Sequence, residues 1–523
     1  MVASSSRLAA EAGVEILKRG GNAVDAAVAV GFALTVAYPE AGNLGGGGYM
    51  VIRMADGRTA SLDYRETAPA SASRDMFVGP DGKLTGGSLI GPLASGVPGA
   101  VAGLAEALAR FGTMPLSEVL KPAIRLADGL VVDRGLAVSI AEARYRIEDF
   151  AGKTVFFPGG QSPPVGSRFS QPALARTLRL IASQGPSAFY TGSIADSIVA
   201  EMKEGAGRIT RKDLAAYRPL WREPLTSSYR GHRLIGMPPS SSGGTTMIEA
   251  LNILEAYGPP APFGTAERVH ALASAFQRAF VDRNAKLGDP AFGDLPIATL
   301  TSKQYAARLA RGIDRNRATR TPSLEREMRE GSETTHYSVV DAAGNAVATT
   351  TTINDLYGSG VYVAGAGFFM NNTMDDFTSQ PGTANQFGLV QGEVNAIAPG
   401  KRALSAMSPT IVLDPAGRLL MITGARGGPR IITSTTQVIL NVIDHRMSLA
   451  DAMSAPRIHH QALPDSIRVE ERGLAPEVVR RLQAMGHFIY EPSSSGRVVS
   501  ILRVKGGYEG MDDPRATGAA VGY

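Results

Sequence analysis

Two threonine-rich segments on either side of a short turn are the part of this sequence best suited to chemistry. Thr334 to Val340 and Ala346 to Thr352 are rich in β-branched residues, and the turn chemistry of residues 341 to 345 predicts a hairpin between them. In a hairpin without a bulge, Thr334 lies directly opposite Thr352. Directly opposed side chains are close enough for the two hydroxyls to form a hydrogen bond.

A threonine hydroxyl needs a base before it can act as a nucleophile. One such base is the α-amine of the same residue, which becomes free only when the preceding peptide bond is cleaved. The ordinary pKa of such an amine, roughly 7.7 to 8.0, leaves an appreciable neutral fraction near neutral pH. Taken alone, the hairpin is more typical of ordinary strands, because β-branched residues favour β-structure.

The residues before Thr334 suit a cleavage site. Residues 325 to 333 include six charged side chains, which is the character of an exposed segment. Glu333 is the last of these, and the β-rich region begins directly after it. We therefore consider cleavage between Glu333 and Thr334, with Thr334 as the nucleophile.

The surrounding pattern predicts helices and strands in separate stretches. Two helices are expected between Arg7 and Tyr38, with Asn22 capping the second. A glycine run, Gly45 to Gly48, then leads into a second hairpin that turns at residues 56 and 57. Helical patterns follow at residues 99 to 110, 171 to 204 and 266 to 282. The fold class is therefore α+β.

Composition excludes several classes of protein. The chain has 523 residues, 44% hydrophobic and 19% charged, which is ordinary for a globular protein. Its 53 Lys and Arg against 48 Asp and Glu form no basic blocks, so nucleic acid is not an expected partner. Cysteine is absent, which excludes disulfides, thiol nucleophiles and cysteine metal sites. The longest uncharged apolar run, Ala26 to Tyr38, is too short for a membrane span and fits a buried helix.

Other motifs give weak signals. The glycine run at residues 45 to 48 lacks the Lys-Ser or Lys-Thr of a phosphate loop, which favours a tight backbone passage. The pair His459-His460 has no accompanying ligand spacing, and the chain has no Gly-x-Ser-x-Gly elbow. We expect neither a metal nor a cofactor.

Ordered motifs along nearly the whole chain resemble those of the γ-glutamyltransferase family. Thr334-Thr335-His336-Tyr337-Ser338 is similar to the start of that family's small subunit. The other matching motifs are Met1-Val2-Ala3-Ser4, Gly20 to Ala27, Asn43 to Gly48, Tyr64-Arg65-Glu66, Met237-Pro238-Pro239, Asn371-Asn372, Met374 to Phe377, Met407 to Thr410 and Gly427-Gly428.

The resemblance implies an αββα sandwich of the N-terminal-nucleophile hydrolase type. Cleavage would give a large subunit, 1 to 333, and a small subunit, 334 to 523, which together form a heterodimer. In that family the opening Met-Val-Ala-Ser follows an export signal, so Met1 would lie inside the precursor. No signal peptide is visible in this sequence. A periplasmic or secreted location is the expectation.

The resemblance also assigns catalytic roles. Thr334 matches the nucleophile, and its freed amine matches the general base. Thr352 matches the threonine that orients the nucleophile, which is the partner that the hairpin register gives independently. Gly427 and Gly428 match the pair whose N–H groups form the oxyanion hole. Without the family, a glycine pair before a helix would indicate only a tight turn.

Substrate contacts follow in the same way, with two departures. Arg65 matches the arginine that binds the substrate α-carboxylate. Asn354, Asp376 and Ser405 match further contacts to the α-amino and α-carboxylate groups. The departures are Thr373, where the family carries Gln or Glu, and Ala406, where it carries a second serine. The loss of a hydrogen bond to a charged group costs roughly 1.5 to 3 kcal/mol, enough to weaken glutamyl preference by tenfold or more.

Three functions are therefore compared. The first is hydrolysis or transfer of a γ-glutamyl group, as from glutathione, to water, an amino acid or a peptide. The second is an acylase on a related amide, of glutaryl or cephalosporin type, with altered α-amino recognition. The third is a binding protein with an uncleaved chain. Residues 382 to 395 resemble a lid loop, with Phe387 as an aromatic gate, although an ordinary glycine-containing loop fits the pattern as well.

Overall fold

The computed structural model describes residues 1–321 and 334–523. The nineteen α-helices of these ranges are, in chain order, α1 Arg7–Lys18, α2 Ala23–Ala37, α3 Ala100–Phe111, α4 Leu116–Val119, α5 Lys121–Asp128, α6 Arg134–Glu142, α7 Arg144–Ile147, α8 Lys153–Phe156, α9 Pro172–Gln184, α10 Ser187–Tyr190, α11 Ser193–Glu204, α12 Arg211–Ala216, α13 Gly243–Tyr257, α14 Ala266–Lys286, α15 Ile297–Leu300, α16 Lys303–Arg311, α17 Arg430–Ile443, α18 Leu449–Ser454 and α19 Pro476–Ala484.

The strands of the same ranges are β1 Val2–Ser4, β2 Gly47–Arg53, β3 Thr59–Asp63, β4 Leu130–Val131, β5 Arg168–Phe169, β6 Leu220–Arg222, β7 Leu225–Tyr229, β8 His232–Gly236, β9 Thr334–Val340, β10 Ala346–Thr352, β11 Tyr362–Val363, β12 Phe368–Phe369, β13 Thr410–Leu413, β14 Leu419–Arg426, β15 Ile458–His459, β16 Ile467–Val469, β17 Ile489–Tyr490, β18 Arg497–Val504, β19 Gly507–Asp512 and β20 Ala519–Val521. Short 3₁₀ turns span Pro92–Ala94, Pro158–Gly160, Pro290–Phe292, Thr373–Asp376 and Glu393–Asn395.

Two antiparallel sheets form the centre of the molecule. The first has seven strands in the order β20-β1-β9-β10-β2-β3-β6, and the second has six in the order β19-β18-β14-β13-β8-β7. Strands β9 and β10 of the first sheet contact β14 of the second, so the sheets are stacked face to face. Each sheet contains strands from both sides of residues 322 to 333.

Helices cover the outer face of each sheet. Helix α2 packs on β9 and β10, whereas α17 packs on β14 and β18. Alternation along β9 divides its side chains between the layers. Tyr337 and Val339 belong to the apolar core under α2, and Val340 belongs to the core between the sheets and beneath α17. The order helix, sheet, sheet, helix confirms the predicted α+β class and αββα sandwich.

Helix α2 shows how the sequence specifies one of these layers. All its side chains are buried, as its largely apolar composition predicts. Asn22 caps it, since its side chain accepts from the Val24 and Asp25 N–H groups, and Asp25 in turn accepts from the Asn22 N–H. Among the described residues no helix combines the length and apolar character needed to cross a membrane.

The helical pattern at residues 171 to 204 forms three helices rather than one. Helix α9 ends at Gly185, whose φ of 71° stops the helix. Pro186 follows, and its ring disfavours a helical conformation in the residue before it. Gly192 separates α10 from α11. The hydrophobic period continues across these breaks because all three helices bury residues in the same core.

Candidate functional site

The β9–β10 hairpin places Thr334 against Thr352 as predicted. The pairing runs without a bulge from Ala346 opposite Val340 to Thr352 opposite Thr334. The two hydroxyl oxygens lie 3.2 Å apart, within hydrogen-bond distance, and both side chains are buried. The five-residue turn has Gly344 in the left-handed conformation, with φ 86°.

The segment after β10 holds the Thr352 hydroxyl in place. The Asn354 N–H donates to Thr352 Oγ1 at 2.8 Å, which requires the tight turn seen in the positive φ of Asn354, 79°. Asn354 Nδ2 donates to the Asn372 carbonyl at 3.1 Å. Thr352 is therefore positioned to orient the Thr334 hydroxyl.

Gly46 allows the backbone to approach Thr352 closely. A Cβ on Gly46 would lie 2.1 Å from the Thr352 carbonyl oxygen, a distance that no side chain tolerates. The structure thus confirms that the glycine run forms a tight backbone passage, directly beside the threonine pair.

His336 is the histidine on the same strand face as Thr334, but its ring is engaged elsewhere. Its Nδ1 lies 2.8 Å from Thr350 Oγ1, and its Nε2 lies 3.2 Å from Ser338 Oγ. Burial lowers the pKa of His336 to about 3, so the ring is neutral near neutral pH. His336 therefore packs between the two sheets, and it does not act as a base for Thr334.

Gly427 and Gly428 lie in the turn between β14 and α17. Both have positive φ, 125° and 55°. Their carbonyls accept from the first turn of α17, at Arg430 and Ile431. Neither glycine N–H has a hydrogen-bond acceptor within residues 1–321 and 334–523, so both are available to a ligand oxygen. Gly428 lines the same cavity as Thr334.

Arg65 and Asp376 form a buried ion pair at the other side of this cavity. The guanidinium donates through Nη2 to Asp376, through Nη1 to Glu66 at 3.3 Å, and through Nε to the Ala403 carbonyl at 3.4 Å. Burial raises the pKa of Asp376, and Arg65 opposes that rise. Burial likewise raises the pKa of Glu66. One positive group thus faces two carboxylates.

Ser405 and Ala406 form the wall beside this ion pair. Ser405 is fixed through its backbone. Its N–H donates to the Ser240 carbonyl at 3.1 Å, and its own carbonyl accepts from the Ser242 N–H at 2.7 Å. Its hydroxyl oxygen accepts from the Met407 N–H at 3.1 Å. Ala406 lines the cavity with a methyl group where a serine would offer a hydroxyl.

Thr373 lies behind the ion pair, outside the group of side chains that line the cavity. It is buried in the 3₁₀ turn that carries Asp376, close to Glu66, and its hydroxyl oxygen has no hydrogen-bond partner among the described residues. Thr373 therefore lies beside Glu66, which in turn accepts a hydrogen bond from Arg65. Its assigned role as a substrate contact stays a prediction.

The predicted side chains meet around one narrow cavity of about 20 Å³. Its lining includes Arg65, Thr334, Thr352, Asn354, Asp376, Phe387, Ser405, Ala406 and Gly428, together with Arg283. Gly427 is adjacent through Gly428. Arg283 is the residue that our sequence reasoning missed. Arg283 stands between Asp282 and Asn284 near the end of α14, and no local pattern distinguishes it from an ordinary helix-terminal arginine.

The loop of residues 382 to 395 closes over this cavity. Phe387 lies in it and is buried, and a Cβ on Gly428 would come within 2.8 Å of its ring. The Gln386 N–H donates to Asp375 at 3.1 Å, and Ser88 Oγ donates to the same carboxylate at 2.8 Å. The loop is thus tied to the turn that carries Asp376. This position fits the predicted lid.

The cleavage position is described on one side only, because Glu333 lies outside the described residues. In the ranges that the structure describes, no group of three or more His, Asp or Glu side chains is arranged to hold a metal ion.

Comparison with known proteins settles the family. Residues 9–523 match the family model described as gamma-glutamyltranspeptidase. The chain belongs to this family. The glutathione hydrolase proenzyme of Escherichia coli strain K12 is 45% identical to this member, with 99% of this chain and 90% of that protein covered. This chain is therefore an enzyme, as the resemblance predicted.

Acylases are also similar to this chain. The acylase ACY 1 proenzyme of Pseudomonas sp. strain V22 is 40% identical, with 99% of this chain and 91% of that protein covered. The solved structure of the cephalosporin acylase from Bacillus halodurans is 30% identical in sequence and superposes with a TM-score of 0.86. The match covers 99% of this chain and 94% of the acylase chain. Proteins similar to this chain therefore include both glutathione hydrolases and acylases.

Proposed function

We propose that this protein cleaves itself between Glu333 and Thr334 and then transfers or hydrolyses γ-glutamyl groups through an ester on Thr334. This proposal rests on one arrangement. The Thr334–Thr352 hydroxyl pair lies in the same cavity as a buried Arg65–Asp376 ion pair. The first pair suits acyl transfer, and the second suits a substrate head that carries both charges.

The first reaction is the self-cleavage. Thr334 Oγ attacks the carbonyl carbon of Glu333, the C–N bond to Thr334 breaks, and the hydroxyl proton passes to the departing nitrogen. Water then hydrolyses the resulting ester, which returns the Thr334 hydroxyl and leaves a free α-amine. The large subunit would be residues 1 to 333 and the small subunit residues 334 to 523.

Turnover repeats this chemistry on a substrate. The Thr334 amine takes the hydroxyl proton as Oγ attacks the γ-carbonyl of the substrate. The Gly427 and Gly428 N–H groups stabilise the oxyanion. The amine proton passes to the leaving amine, and the acyl group remains on Thr334. Water, an amino acid or a peptide then accepts the acyl group, and Thr334 regains its proton.

The charges around the cavity favour a zwitterionic head. Arg65 and Arg283 carry positive charge, and Asp376 and Glu66 carry negative charge, so the four groups balance. The α-carboxylate and α-ammonium of a glutamyl group would meet Arg65 and Asp376 without changing that balance. A glutaryl group brings one uncompensated negative charge into a buried site, which is costly.

A second candidate is an acylase for a related amide. Ala406 and Thr373 favour it, since neither offers the group that the family usually places there, and the similarity to named acylases fits it. The two candidates share Thr334, Thr352, Gly427 and Gly428. They differ in whether the α-ammonium contributes to binding.

One comparison separates the two candidates. We would measure kcat/KM for p-nitroaniline release from the γ-glutamyl and glutaryl derivatives, which differ only in the α-amino group. We expect the γ-glutamyl derivative to react at least about tenfold faster, because Asp376 compensates an ammonium. Equal or faster release from the glutaryl derivative would assign the protein to the acylases.

We further propose that the mature protein is exported to the periplasm or the exterior. The family resemblance supports this location, and a chain without cysteine is compatible with an oxidising compartment. Detection of the small subunit in the periplasmic or extracellular fraction of cells expressing the full-length gene tests it.

A further inference from the structure

Arg283 is a buried cation whose hydrogen-bond partners are all neutral. It lies in the last turn of α14 and is 1% exposed. Its Nε donates to Ser242 Oγ at 2.9 Å, and its Nη1 donates to Asn284 Oδ1 at 2.8 Å and Gln391 Oε1 at 3.0 Å. Nη2 has no acceptor among the residues that the structure describes.

Two other arginines that are fully buried in the described ranges are paired with carboxylates. Arg65 contacts Glu66 and Asp376, and Arg457 contacts Asp513 at 2.7 Å. Arg283 has no ion pair within the described ranges. A buried charge without a carboxylate in direct contact is unfavourable, and the through-space attraction of Asp376 offsets only part of the burial of Arg283. Burial lowers the pKa of Arg283 to about 10, yet the side chain stays charged near neutral pH.

Arg65 already has protein partners on each of its three guanidinium nitrogens. Its Nε, Nη1 and Nη2 are all engaged, with Ala403, Glu66 and Asp376. A carboxylate that entered the cavity would have to compete with two protein carboxylates for this one guanidinium. Arg283 lines the same cavity and offers Nη2 without displacing any protein group.

We propose that Arg283 is a second carboxylate-binding residue, which holds the terminal carboxylate of the acyl group together with Arg65. The inference rests on the proposed function and deepens it. Arg283 makes a carboxylate at the end of the acyl chain a requirement of the site, whereas Asp376 adds preference for a neighbouring ammonium. Acyl groups of this length without a carboxylate would gain nothing from Arg283.

Three p-nitroanilides separate these contributions. The γ-glutamyl derivative has both head groups, the glutaryl derivative has only the carboxylate, and the 4-aminobutanoyl derivative has only the amine. In Arg283→Gln we expect KM to rise by about tenfold or more for the two carboxylate substrates. For the 4-aminobutanoyl derivative we expect kcat/KM to change by less than about twofold.

Arg278→Gln is the matched control. Arg278 lies on the same helix and donates to neutral oxygens of Ser274, Gly312 and Thr319, but it does not line the cavity. We expect unchanged KM values for all three substrates. If Arg283→Gln is not cleaved, Arg283→Lys replaces it, because lysine keeps the charge and loses the planar fork. The expected result is then a smaller rise in KM, again confined to the two carboxylate substrates.

Two results would overturn the role of Arg283. One is a KM for the carboxylate substrates that changes by less than about twofold, and the other is an equal loss on all three substrates, which would indicate a structural role. Failure of the proposed function looks different, because wild-type protein would then release no p-nitroaniline from the γ-glutamyl derivative.

Discussion

At the scale of single residues, the proposed acyl transfer depends on two hydroxyls 3.2 Å apart at the end of a buried hairpin. Thr334 and Thr352 are equivalent in chemistry, yet only Thr334 follows the proposed cleavage position. The asymmetry between them arises from the chain. The proposed cleavage would leave a free amine on Thr334, whereas a backbone N–H from Asn354 fixes Thr352. Nucleophile and orienting residue are thus distinguished by their surroundings.

Replacement of Thr334 by Ala should leave one uncleaved chain and abolish turnover, because both reactions use its hydroxyl. A denaturing gel and an assay with the γ-glutamyl substrate check this. Thr335→Val is the matched control. The Thr335 hydroxyl is buried and has no hydrogen-bond partner among the described residues, and valine has nearly the same shape. Thr335→Val should be cleaved and active, and an active Thr334→Ala would exclude the assigned nucleophile.

Thr352→Val should reduce kcat by about tenfold or more while the hairpin remains folded. Valine suits a strand equally well but removes the hydroxyl that contacts Thr334 Oγ1 and accepts from Asn354. Steady-state kinetics measure the loss, and an unchanged melting temperature shows that folding is intact. A kcat equal to that of wild type would mean that Thr352 does not orient the nucleophile.

At the scale of elements, the β14–α17 turn and the lid loop meet at one point. Gly428 has a φ of 55°, and a Cβ there would lie 2.8 Å from Phe387. Gly382, in the same lid loop, also has a positive φ, 75°, but a Cβ atom at that position would have nothing within 4 Å. The two glycines therefore separate backbone strain from steric contact.

Gly428→Ala should lower both stability and kcat, whereas Gly382→Ala should lower stability alone. Each substitution costs roughly 1 to 2 kcal/mol for a left-handed alanine. Only the alanine at position 428 also displaces Phe387 and the N–H proposed for the oxyanion hole. Denaturant unfolding and kinetics on the same samples test this, and equal kcat values for the two variants would argue against it.

Asp375 ties the lid to the turn below it and makes stability depend on pH. Burial raises its pKa to about 7 from an ordinary 3.8. The folded state therefore holds this proton more tightly than the unfolded chain. The resulting stabilisation is complete below about pH 4 and is lost as the pH rises to about 7.

Asp375→Asn removes this titration. Between pH 5 and 7 the free energy of unfolding of wild type should fall relative to that of the variant, by roughly 1.4 kcal/mol per pH unit at most. Denaturant unfolding at pH 5, 6, 7 and 8 gives the difference. Parallel curves for the two proteins across this range would show that Asp375 does not titrate there.

Local pattern predicted the hairpin and its register, because a five-residue turn without a bulge leaves only one pairing. It also predicted Asn22 as a cap and α2 as a buried helix. The meeting of Arg65, Arg283 and Asp376 was not predictable in this way. These residues belong to a loop after β3, the end of α14 and a 3₁₀ turn, and no local period relates them. Family resemblance supplied Arg65 and Asp376, but not Arg283.

At the scale of the whole molecule, the two proposed subunits are interleaved. In the first sheet, β9 pairs with β1 and β10 pairs with β2. In the second, β13 pairs with β8. Strands from both sides of the proposed cleavage position thus share both sheets. Cleavage would leave every one of these ladders intact.

The cleaved protein should therefore behave as one heterodimer. We expect the two chains to elute together in size exclusion under native conditions and to unfold in a single transition, since neither has a complete sheet alone. Denaturant titration monitored by circular dichroism and by size exclusion checks this. Separation of folded subunits without denaturant would contradict the interleaved arrangement.

The central claim is that a freed Thr334 carries the acyl group, and mass spectrometry tests it most directly. The protein would be mixed with a γ-glutamyl substrate, quenched with acid within the first turnovers, and analysed as intact chains and as peptides. We predict a small chain beginning at Thr334 that is heavier by one glutamyl group, with the added mass on its first residue. Turnover by an uncleaved chain, or a glutamyl group attached to any other residue, would contradict the account.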